Sequence, residues 1–520
     1  MHVKKSKKWM GLLIVMVFVF LTACGTGNNS SSNNNSNKSE PVSSNDPAAS
    51  EKPVEPAKIT IYTSDFATVT PADPSKDQTL MYAMEKSGID LDVTFLANAN
   101  YTEQMRLKFA SGDFPDLFQA SGLSGGAGAI AQELLLPLND LIDQYGPNLK
   151  ANIPQVAWDA LTVDGKILGV PAPAMAGSSR ILYIREDWLQ KLGLDYPKTS
   201  DEYLDVLRAF RDNDLNGNGE KDEIPFSTRQ GFNWVMDPIF GMWGLTPFAG
   251  FESDGEIVPG FAHPRFVEPL KFLQTMYNEG LLDSEFLTNS SSIWSQKFES
   301  GRVGSFGYMP DGGWAFHIRI VNATPDQGVN MMTMPTPQGK GWDGPVGAHI
   351  SSNSTTYHIM EGSKNPVAAI QFLDWLLSEE GQIWSELGLE GLNYKIEDGN
   401  IVYDAASEDE AQTKWRATFK MHGINETAFA AKYPGEAGEK LGRALDLSHK
   451  EGFESPVANM PPLNDEMQNL LFSSFVETAA HIVVNNLPVE ETWDEYIAKW
   501  RVQGGNEIIK VMTDYWNENK

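Results

Sequence analysis

The hydrophobic and polar positions of this chain follow the periods of strands and helices from residue 58 onward. Residues 58–62 and 91–95 alternate apolar with polar side chains, which predicts two strands. Residues 79–86 between them have a helical pattern that stops at Gly88. A strand, a helix and a second strand in this order make a crossover unit, and such units build parallel sheets covered by helices.

Further elements follow in the same order toward the centre of the chain. We predict helices over 101–110 and 186–192, the second closed by Gly193, and strands over 116–118 and 181–184. The predicted fold class is therefore α/β, with open sheets flanked by helices.

The C-terminal third is mostly helical in pattern. Asn365 and Pro366 have the residue types of a helix start, and we expect the Asn365 side chain to cap the helix that follows. That helix carries one apolar stripe, which predicts a core-facing surface and not a binding site. The stripe consists of Ala369, Phe372, Leu373, Leu376 and Leu377. From Pro461 to the end, apolar residues again recur at helical spacing, so further helices are expected there.

The first 23 residues have the pattern of an export signal. Four lysines within residues 4–8 precede an apolar run from Met10 to Ala23. The run is shorter than the ~20 residues that span a bilayer, and it ends at Cys24, the single cysteine of the chain. We predict that residues 1–23 are a lipoprotein signal peptide and that Cys24 is acylated at the outer face of the cytoplasmic membrane. The alternative is an uncleaved membrane anchor with an incidental cysteine.

Residues 24–56 are rich in Gly, Asn, Ser, Pro and charged residues. They show no apolar period that could bury a face, so the segment is predicted to be a flexible tether. A flexible segment of this length reaches on the order of 30 Å, enough to hold a globular domain close to the lipid surface.

Charge and cysteine content narrow the possible partners. The chain has 69 acidic and 40 basic residues and a net charge of -29, and loss of residues 1–23 removes four lysines and no acid, which leaves about -33. This charge argues against nucleic acid or anionic lipid as a broad-surface partner. One cysteine allows no internal disulfide, and a chain of 520 residues with 41% hydrophobic residues is expected to form at least two domains.

Oxygen-bearing side chains are most densely spaced between Asp212 and Glu223. Calcium takes about six to eight oxygen ligands, and glycines allow a tight loop to aim alternate residues at one point. Two registers fit this chemistry. The first starts at Asp212 and matches the helix-loop-helix calcium pattern through Asp214, Asn216, Gly217 and Glu223. The second starts at Asp214 and uses Asp214, Asn216, Asn218, the Glu220 carbonyl, Asp222 and Glu223. An ion-free solvated loop is the alternative to both.

Catalytic motifs are weak in this sequence. The 8 histidines are scattered and no His-Glu-x-x-His or Cys-x-x-Cys spacing occurs, which argues against zinc chemistry. Residues 122–126 match a nucleophile-elbow pattern around Ser124, but the stretch is rich in Gly and Ser and no Asp and His partners can be assigned. We therefore expect that the protein is not an enzyme. Residues 122–126 are expected instead to form a loop whose backbone N–H groups approach a polar ligand.

Tryptophan is unusually frequent, with 14 Trp against 15 Tyr. Sugar rings present flat C–H faces that pack on aromatic planes, while their hydroxyls need polar partners around the rim. Tryptophans outside helical stripes therefore favour a saccharide receptor, and an ordinary core role is the alternative for each of them. These residues are Trp234, Trp243, Trp294, Trp314 and Trp342.

Seven short motifs, taken in their order, resemble a known family. They lie at residues 107–117, 136–142, 164–171, 182–189, 222–225, 277–283 and 365–381. Over the chain from residue 58 to the C-terminus they resemble the extracellular solute-binding proteins of ABC importers, in the large lipoprotein, alginate- and oligosaccharide-binding-like branch of sugar-binding family 1.

The resemblance implies a two-lobed periplasmic-binding-protein-like fold with extra C-terminal helices. The expected N-terminal lobe consists of 57–178 and 350–392, and the expected C-terminal lobe of 179–349 and 393–520. The chain would cross between the lobes near 175–183, 344–351 and 388–394.

The resemblance also implies a function and a metal. A monomer held at the membrane only by its lipid would capture a solute, above all an oligosaccharide, and deliver it to an ABC transporter permease. The alginate-binding pattern Asp-x-Asn-x-Asn-x-x-x-Asp-Glu begins at Asp214, which favours the second calcium register and a structural Ca²⁺ ion. The alternatives are a lipid-anchored polysaccharide-processing enzyme and a peptide-binding or sensory lipoprotein on the same scaffold.

The family does not fix its sugar contacts by a short motif. We therefore take candidate contacts from positions that flank predicted strand ends or crossings, where open α/β sheets place ligands. These candidates are Asp116, Arg180, Trp234, Trp243, Tyr308, Trp314 and Asn393.

Overall fold

Two mixed sheets organise the part of the chain that the computed structural model describes, residues 56–66, 69–123, 126–172, 179–230, 235–350, 355–410, 413–458, 460 and 463–519. The five strands of the first sheet are ordered Asp90–Leu96, Lys58–Ser64, Leu117–Ala120, Thr355–Ile359 and Val170–Ala172. The first three strands are parallel, and Thr355–Ile359 runs antiparallel to both of its neighbours. Three parallel strands therefore end at one edge of this sheet.

The second sheet has four strands, ordered Met331–Met334, Ile181–Arg185, Val303–Tyr308 and Ile224–Phe226. Val303–Tyr308 is parallel to Ile224–Phe226, and Ile181–Arg185 runs antiparallel to the strands on both sides of it. The register places Tyr308 opposite Ile181, so the end of one strand and the start of the other meet at the same edge.

Helices cover the sheets and form the C-terminal part. Their bounds are Gln78–Ser87, Tyr101–Ala110, Gly126–Ala131, Asn139–Tyr145, Pro147–Asn152, Gln155–Asp159, Glu186–Leu192, Ser200–Asp212, Asp237–Gly241, Val267–Asn278, Ser291–Glu299, Pro310–Ala323, Pro366–Leu376, Glu379–Leu387, Ala405–Glu410, Glu426–Lys432, Glu436–Glu451, Asp465–Val484, Val489–Trp500 and Asn506–Asn519. Three two-stranded pairs complete the described elements: Thr162–Val163 with Lys166–Ile167, Gly250–Ser253 with Glu256–Pro259, and Tyr394–Glu397 with Asn400–Tyr403. In the part of the chain described, no helix is both long and apolar enough to cross a membrane.

The α/β class and most local elements agree with the sequence analysis. The helix Gln78–Ser87 is capped by Asp77, whose carboxylate accepts hydrogen bonds from two backbone N–H groups, and it ends at Gly88 with a φ of 70°. Glu186–Leu192 has the predicted bounds and ends at Gly193 with a φ of 65°. These ends are fixed by neighbours in sequence, because a left-handed residue after a helix is best occupied by glycine.

Asn365 does not cap the helix that it precedes, contrary to the sequence prediction. The helix Pro366–Leu376 does form, with Pro366 in its first turn, but no side-chain cap is present. The Asn365 amide instead donates to the Lys58 carbonyl oxygen at 2.7 Å, which ties the helix to the first strand. The apolar stripe is buried as predicted, with Ala369, Phe372, Leu373 and Leu376 fully inaccessible.

The core around the first sheet includes a segment that the sequence analysis assigned elsewhere. Trp415, Phe419 and Met421 belong to the hydrophobic cluster of the first sheet. Trp384 lies in the same cluster, 6.3 Å from Trp415 between ring centroids. The chain therefore packs on this cluster both before and after residues 388–394.

The last three helices pack on the cluster of the second sheet. Phe475, Trp493 and Trp500 from these helices are buried beside Phe261 and Phe266. The ring centroids of Phe261 and Trp500 are 5.0 Å apart, and those of Phe266 and Trp493 are 5.6 Å apart. These contacts confirm the extra C-terminal helices.

Candidate functional site

A cavity lies where the three parallel strands of the first sheet end. Its volume is about 90 Å³. The described lining consists of Ser64, Phe66, Asn98, Tyr101, Thr102, Gln119, Ala120, Ser121, Ala127 and Thr355. Each of these ten residues is uncharged. We call this feature the sheet-edge cavity; its position matches the place where open α/β sheets bind ligands.

Hydrogen bonds fix the polar groups of the sheet-edge cavity. Gln119 accepts from the Thr63 hydroxyl at 3.2 Å and donates to the Thr418 carbonyl at 3.1 Å. The Tyr101 hydroxyl donates to the Gln119 carbonyl at 2.7 Å. The Ser64 hydroxyl donates to the Asn98 side-chain oxygen at 3.0 Å. These neutral donors and acceptors are held in place before a ligand arrives, which suits the hydroxyl groups of a saccharide.

Phe66 has an unusual backbone at the rim of the sheet-edge cavity. Its φ is 45°, a left-handed conformation that costs free energy for a residue with a β-carbon. The side chain is 48% exposed although it is large and apolar. Strained, exposed residues of this kind cluster at functional sites. The pattern of the sequence did not single out Phe66, because nothing local distinguishes it from a loop phenylalanine.

The edge of the second sheet carries an ion pair and two aromatic residues. The Arg180 guanidinium lies 2.5 Å from the Asp237 carboxylate, and their side chains are 22% and 16% exposed. Tyr308 is half-buried beside Trp294, with 5.7 Å between ring centroids. Trp314 is buried against His317 at 4.6 Å. Arg180, Tyr308 and Trp314 were all candidates from the sequence, and Arg180 and Tyr308 are the two that keep some exposure at this edge.

Asp116 has a structural role instead of a ligand-binding one. Its carboxylate accepts hydrogen bonds from the Thr60 N–H and hydroxyl, the Ser363 hydroxyl and the Lys364 N–H, at 2.7 to 3.0 Å. Burial alone would raise the pKa of Asp116, but these hydrogen bonds hold the pKa below its usual range. Asp116 precedes the strand Leu117–Ala120, so it lies at the opposite end of that strand from the sheet-edge cavity.

Trp243 and Asn393 are also structural. Trp243 is 2% exposed within the cluster of the second sheet, and its indole N–H donates to the Lys340 carbonyl at 3.1 Å. Asn393 is fully buried; its oxygen accepts from the Leu389 N–H and its amide donates to the Thr413 hydroxyl. Neither side chain has surface left for a solute. Cys24, Ser124 and Trp234 lie outside the described residues.

The acidic loop between the helix Ser200–Asp212 and the strand Ile224–Phe226 is tightly folded. The Asp214 carboxylate accepts from the N–H groups of Gly217 and Gly219 at 2.8 and 2.9 Å. Gly217 and Gly219 have φ values of 80° and 89°, which residues with a β-carbon rarely adopt. The loop therefore curls around the Asp214 side chain.

Polar side chains meet inside this loop. The amides of Asn216 and Asn218 both donate to one oxygen of Asp222 at 3.0 Å. One oxygen of Glu223 accepts from the Asn216 N–H at 3.1 Å, and the other oxygen is buried without a hydrogen-bond partner. A buried carboxylate oxygen without a partner is costly unless a cation lies beside it. Glu223 therefore fits a calcium ligand.

The contacts of the candidate ligands differ along the loop. The Asp212 carboxylate is paired with Arg211 at 2.7 Å and is 58% exposed. Hydrogen bonds link five other candidates to each other: Asp214, Asn216, Asn218, Asp222 and Glu223. Within the described chain, no three His, Cys, Asp or Glu side chains are grouped as a ready-made metal site. A calcium site here would thus depend on the Asn and backbone oxygens as well.

Comparison with known proteins identifies the family of this chain. A family model described as bacterial extracellular solute-binding protein matches residues 70–383. Lipoprotein LipO of Bacillus subtilis is 23% identical over 478 residues, covering 87% of this chain and 91% of LipO. The fructooligosaccharide ABC transporter substrate-binding protein FusA of Streptococcus pneumoniae is 29% identical over 314 residues, covering 57% of this chain and 56% of FusA.

Solved structures share the fold. FusA in complex with kestose has a TM-score of 0.69 at 20% identity, covering 89% of this chain and 99% of FusA. The alginate-binding protein AlgQ2, solved without calcium ion, has a TM-score of 0.67 at 22% identity, covering 89% of this chain and 98% of AlgQ2. An EF-hand mutant of FusA with fructo-nystose has the same TM-score of 0.67 at 20% identity, with 89% and 99% coverage. The two-lobed α/β fold predicted from the sequence is confirmed.

Proposed function

The chain belongs to the family of bacterial extracellular solute-binding proteins, and we propose that it captures an oligosaccharide between its two lobes and delivers it unaltered to an ABC transporter permease. The sheet-edge cavity is the observation that carries this proposal. It combines fixed, uncharged hydrogen-bonding groups with the exposed ring of Phe66, and a sugar needs both kinds of contact. FusA and AlgQ2, named for fructooligosaccharide and alginate, support the saccharide class.

The proposed lobes follow the core clusters that pack on the two sheets. We assign residues 57–172 and 355–421 to the first lobe, because Tyr357 and Trp415 share one cluster. Residues 179–349 and 426–519 form the second lobe, whose clusters include Leu441 and Trp493. A solute bound at the edges of both sheets favours the closed arrangement only if it binds that arrangement more tightly than the open one. Closure then creates the surface that a permease recognises.

Calorimetric titration of the full chain with neutral oligosaccharides and peptides tests this function. We expect heat from an oligosaccharide, no heat from a peptide, and recovery of the saccharide with its length unchanged. Asn98→Ala should weaken binding by at least about tenfold, because Asn98 is exposed and lines the sheet-edge cavity. Thr324→Ala is a matched polar control, since Thr324 lies away from this cavity at the end of the helix Pro310–Ala323. Shortened saccharide products would instead indicate a polysaccharide-processing enzyme.

The proposal places the protein outside the cytoplasmic membrane, held by a lipid on Cys24. The signal-like residues 1–23, the single cysteine and the lipoprotein LipO support this location. Cys24→Ser should abolish incorporation of labelled palmitate. If the wild-type protein takes up no palmitate and keeps residues 1–23 by mass spectrometry, residues 1–23 are an uncleaved anchor.

We further propose that the acidic loop binds a structural Ca²⁺ ion through Asp214, Asn216, Asn218, the Glu220 carbonyl, Asp222 and Glu223. The unpartnered oxygen of Glu223 supports this assignment, as do the hydrogen bonds that gather Asn216 and Asn218 around Asp222. The ion would be coordinated by these oxygens and hold the helix Ser200–Asp212 against the strand Ile224–Phe226.

A further inference from the structure

A second cavity is lined by residues of the helix Glu379–Leu387 and the helix Glu436–Glu451. Its volume is about 170 Å³. Lys414, Arg416, Lys420 and Lys432 line it together with only two acids, Glu386 and Glu408. Basic side chains therefore outnumber acidic ones in the described lining, in a chain whose net charge is -29. We call it the cationic cavity; its described lining has no residue in common with that of the sheet-edge cavity.

The two acids of the cationic cavity do not neutralise its cations. Lys420 and Lys432 share the single carboxylate of Glu386, at 2.5 and 2.7 Å. Burial alone would raise the pKa of Glu386, but the charges of the two lysines hold it far below its usual range, so Glu386 is ionised. Two ammonium groups beside one carboxylate leave a positive charge that a second anion would balance.

Arg416 has a different role in this wall. Its guanidinium pairs with Glu408 and donates to the carbonyls of Trp384 and Thr413, and its side chain is 1% exposed. Arg416 and Glu408 thus form a neutral structural pair. The positive charge open to a ligand comes from the lysines, whose side chains are 23% exposed for Lys420 and 25% for Lys432.

The remaining wall of the cationic cavity is apolar. Phe429, Leu441 and Leu445 line it, and both leucines are buried in a separate cluster that includes Tyr183 and Phe306 of the second sheet. An engineered apolar cavity of roughly 150 Å³ holds one benzene ring, so a cavity of this size suits a single ring. A flat apolar wall facing excess lysine charge is complementary to a ring that carries a carboxylate.

We propose that the cationic cavity binds a ring-sized organic carboxylate, with the carboxylate among the lysines and the ring against Phe429 and the two leucines. Such a ligand is either a free organic acid or the uronic acid unit of a saccharide. In either case the ligand contacts elements that pack on two core clusters, since Glu386 belongs to the helix of Trp384 and Leu441 to the separate cluster.

Calorimetric titration of the full chain with three probes tests this site. The probes are glucuronate, cyclohexanecarboxylate and neutral glucose at equal concentration. We expect both carboxylates to bind, glucose not to bind, and the binding to weaken as sodium chloride is raised. Tighter binding of glucuronate identifies the saccharide source, and tighter binding of cyclohexanecarboxylate identifies a free acid. Binding of neither carboxylate would overturn the proposal.

Variants locate the bound carboxylate. Lys420→Met and Lys432→Met should each weaken binding of the carboxylates by at least about tenfold. Lys340→Met is the matched control, because Lys340 is 73% exposed and pairs with Asp201 outside the cavity. If Lys420→Met does not fold, Lys432→Met decides. Lysine variants that bind as tightly as Lys340→Met would overturn the proposal, as would loss of carboxylate binding in Asn98→Ala. Binding of a neutral oligosaccharide is measured in a separate titration. The proposed function and the proposed carboxylate site can therefore be disproved independently.

Discussion

The φ of 45° at Phe66 matters because it is combined with an exposed ring at the edge of the first sheet. A left-handed backbone costs about 1 kcal/mol or more for a residue with a β-carbon, and burial of the ring does not offset that cost here. Stacking on a sugar ring would bury the exposed face of the Phe66 side chain. Phe66 is therefore a stronger candidate for stacking on a sugar ring than any of the tryptophans named from the sequence.

We predict that Phe66→Ala weakens saccharide binding by about tenfold or more, while Phe66→Tyr retains it, because tyrosine keeps the ring face. Calorimetric titration of each variant measures the change. Phe114→Ala is the control, since Phe114 is 45% exposed but precedes the strand Leu117–Ala120 at its other end. Equal affinity in Phe66→Ala and Phe114→Ala would exclude Phe66 from the binding surface.

A second residue-scale prediction concerns His358. Burial lowers the pKa of His358 to about 4, although its ring lies 2.8 Å from the Leu168 carbonyl. The unfolded chain takes up a proton near pH 6.5 and the folded chain does not, so stability is lost as pH falls from about 6.5 to about 4. At pH 5 the loss from this group is on the order of 2 kcal/mol.

NMR titration of the His358 ring measures this directly, and unfolding by denaturant at pH 5 and 7 measures its effect on stability. The account predicts a ring that stays neutral at pH 5 in the folded protein. A His358 ring that is half-protonated near pH 6.5 would show that the histidine is solvated and that its burial costs nothing.

Residue roles were hard to predict where the partners are distant in sequence. Asp116 has the chemistry of a ligand contact, but its partners Thr60 and Ser363 are 56 and 247 residues away. Asn393 likewise has a polar side chain that could contact a ligand. In the folded chain this side chain is buried and its amide donates to the Thr413 hydroxyl. Residue type alone cannot reveal whether a carboxylate or an amide is already saturated.

At the scale of elements, prediction succeeded where the signals are local. Gly193 ends a helix, and the alternation over residues 58–62 marks a strand that the structure extends to Lys58–Ser64. Prediction was wrong where an element depends on the rest of the chain. Asn365 bonds to Lys58 instead of capping its helix.

The acidic loop is the element with the sharpest prediction. If it binds calcium, a chelator should lower the melting temperature of the full chain, and Asp214→Ala should remove that response. Calcium at a hundred times its dissociation constant would contribute about 2.7 kcal/mol to the free energy of unfolding. Thermal unfolding with and without the chelator measures both effects.

Asp212→Ala separates the two registers of the loop. The Asp212 carboxylate is paired with Arg211, so the variant should keep its response to the chelator. Loss of the response in Asp212→Ala would favour the register that begins at Asp212. If the chelator does not change the melting temperature of the wild-type chain, the loop does not bind calcium.

At the scale of the whole molecule, the sequence predicted the family and the two-lobed fold, since ordered motifs over several hundred residues are specific even when each is weak. The limits of the lobes were harder to predict. The segment from residue 393 to 421 has no sequence motif that indicates which of the two sheets it packs on. Contacts of Trp415 and Phe419 with Trp384 settle its packing. A net charge of -29 argues against nucleic acid as a broad-surface partner of this family member.

Native mass spectrometry of the full chain mixed with a library of neutral oligosaccharides tests whether the protein captures an intact saccharide. We expect one bound saccharide per protein, with a mass equal to the intact ligand, and loss of this complex in Phe66→Ala and Asn98→Ala. A chain that binds no saccharide of the library, or one that releases shortened products, would exclude this function.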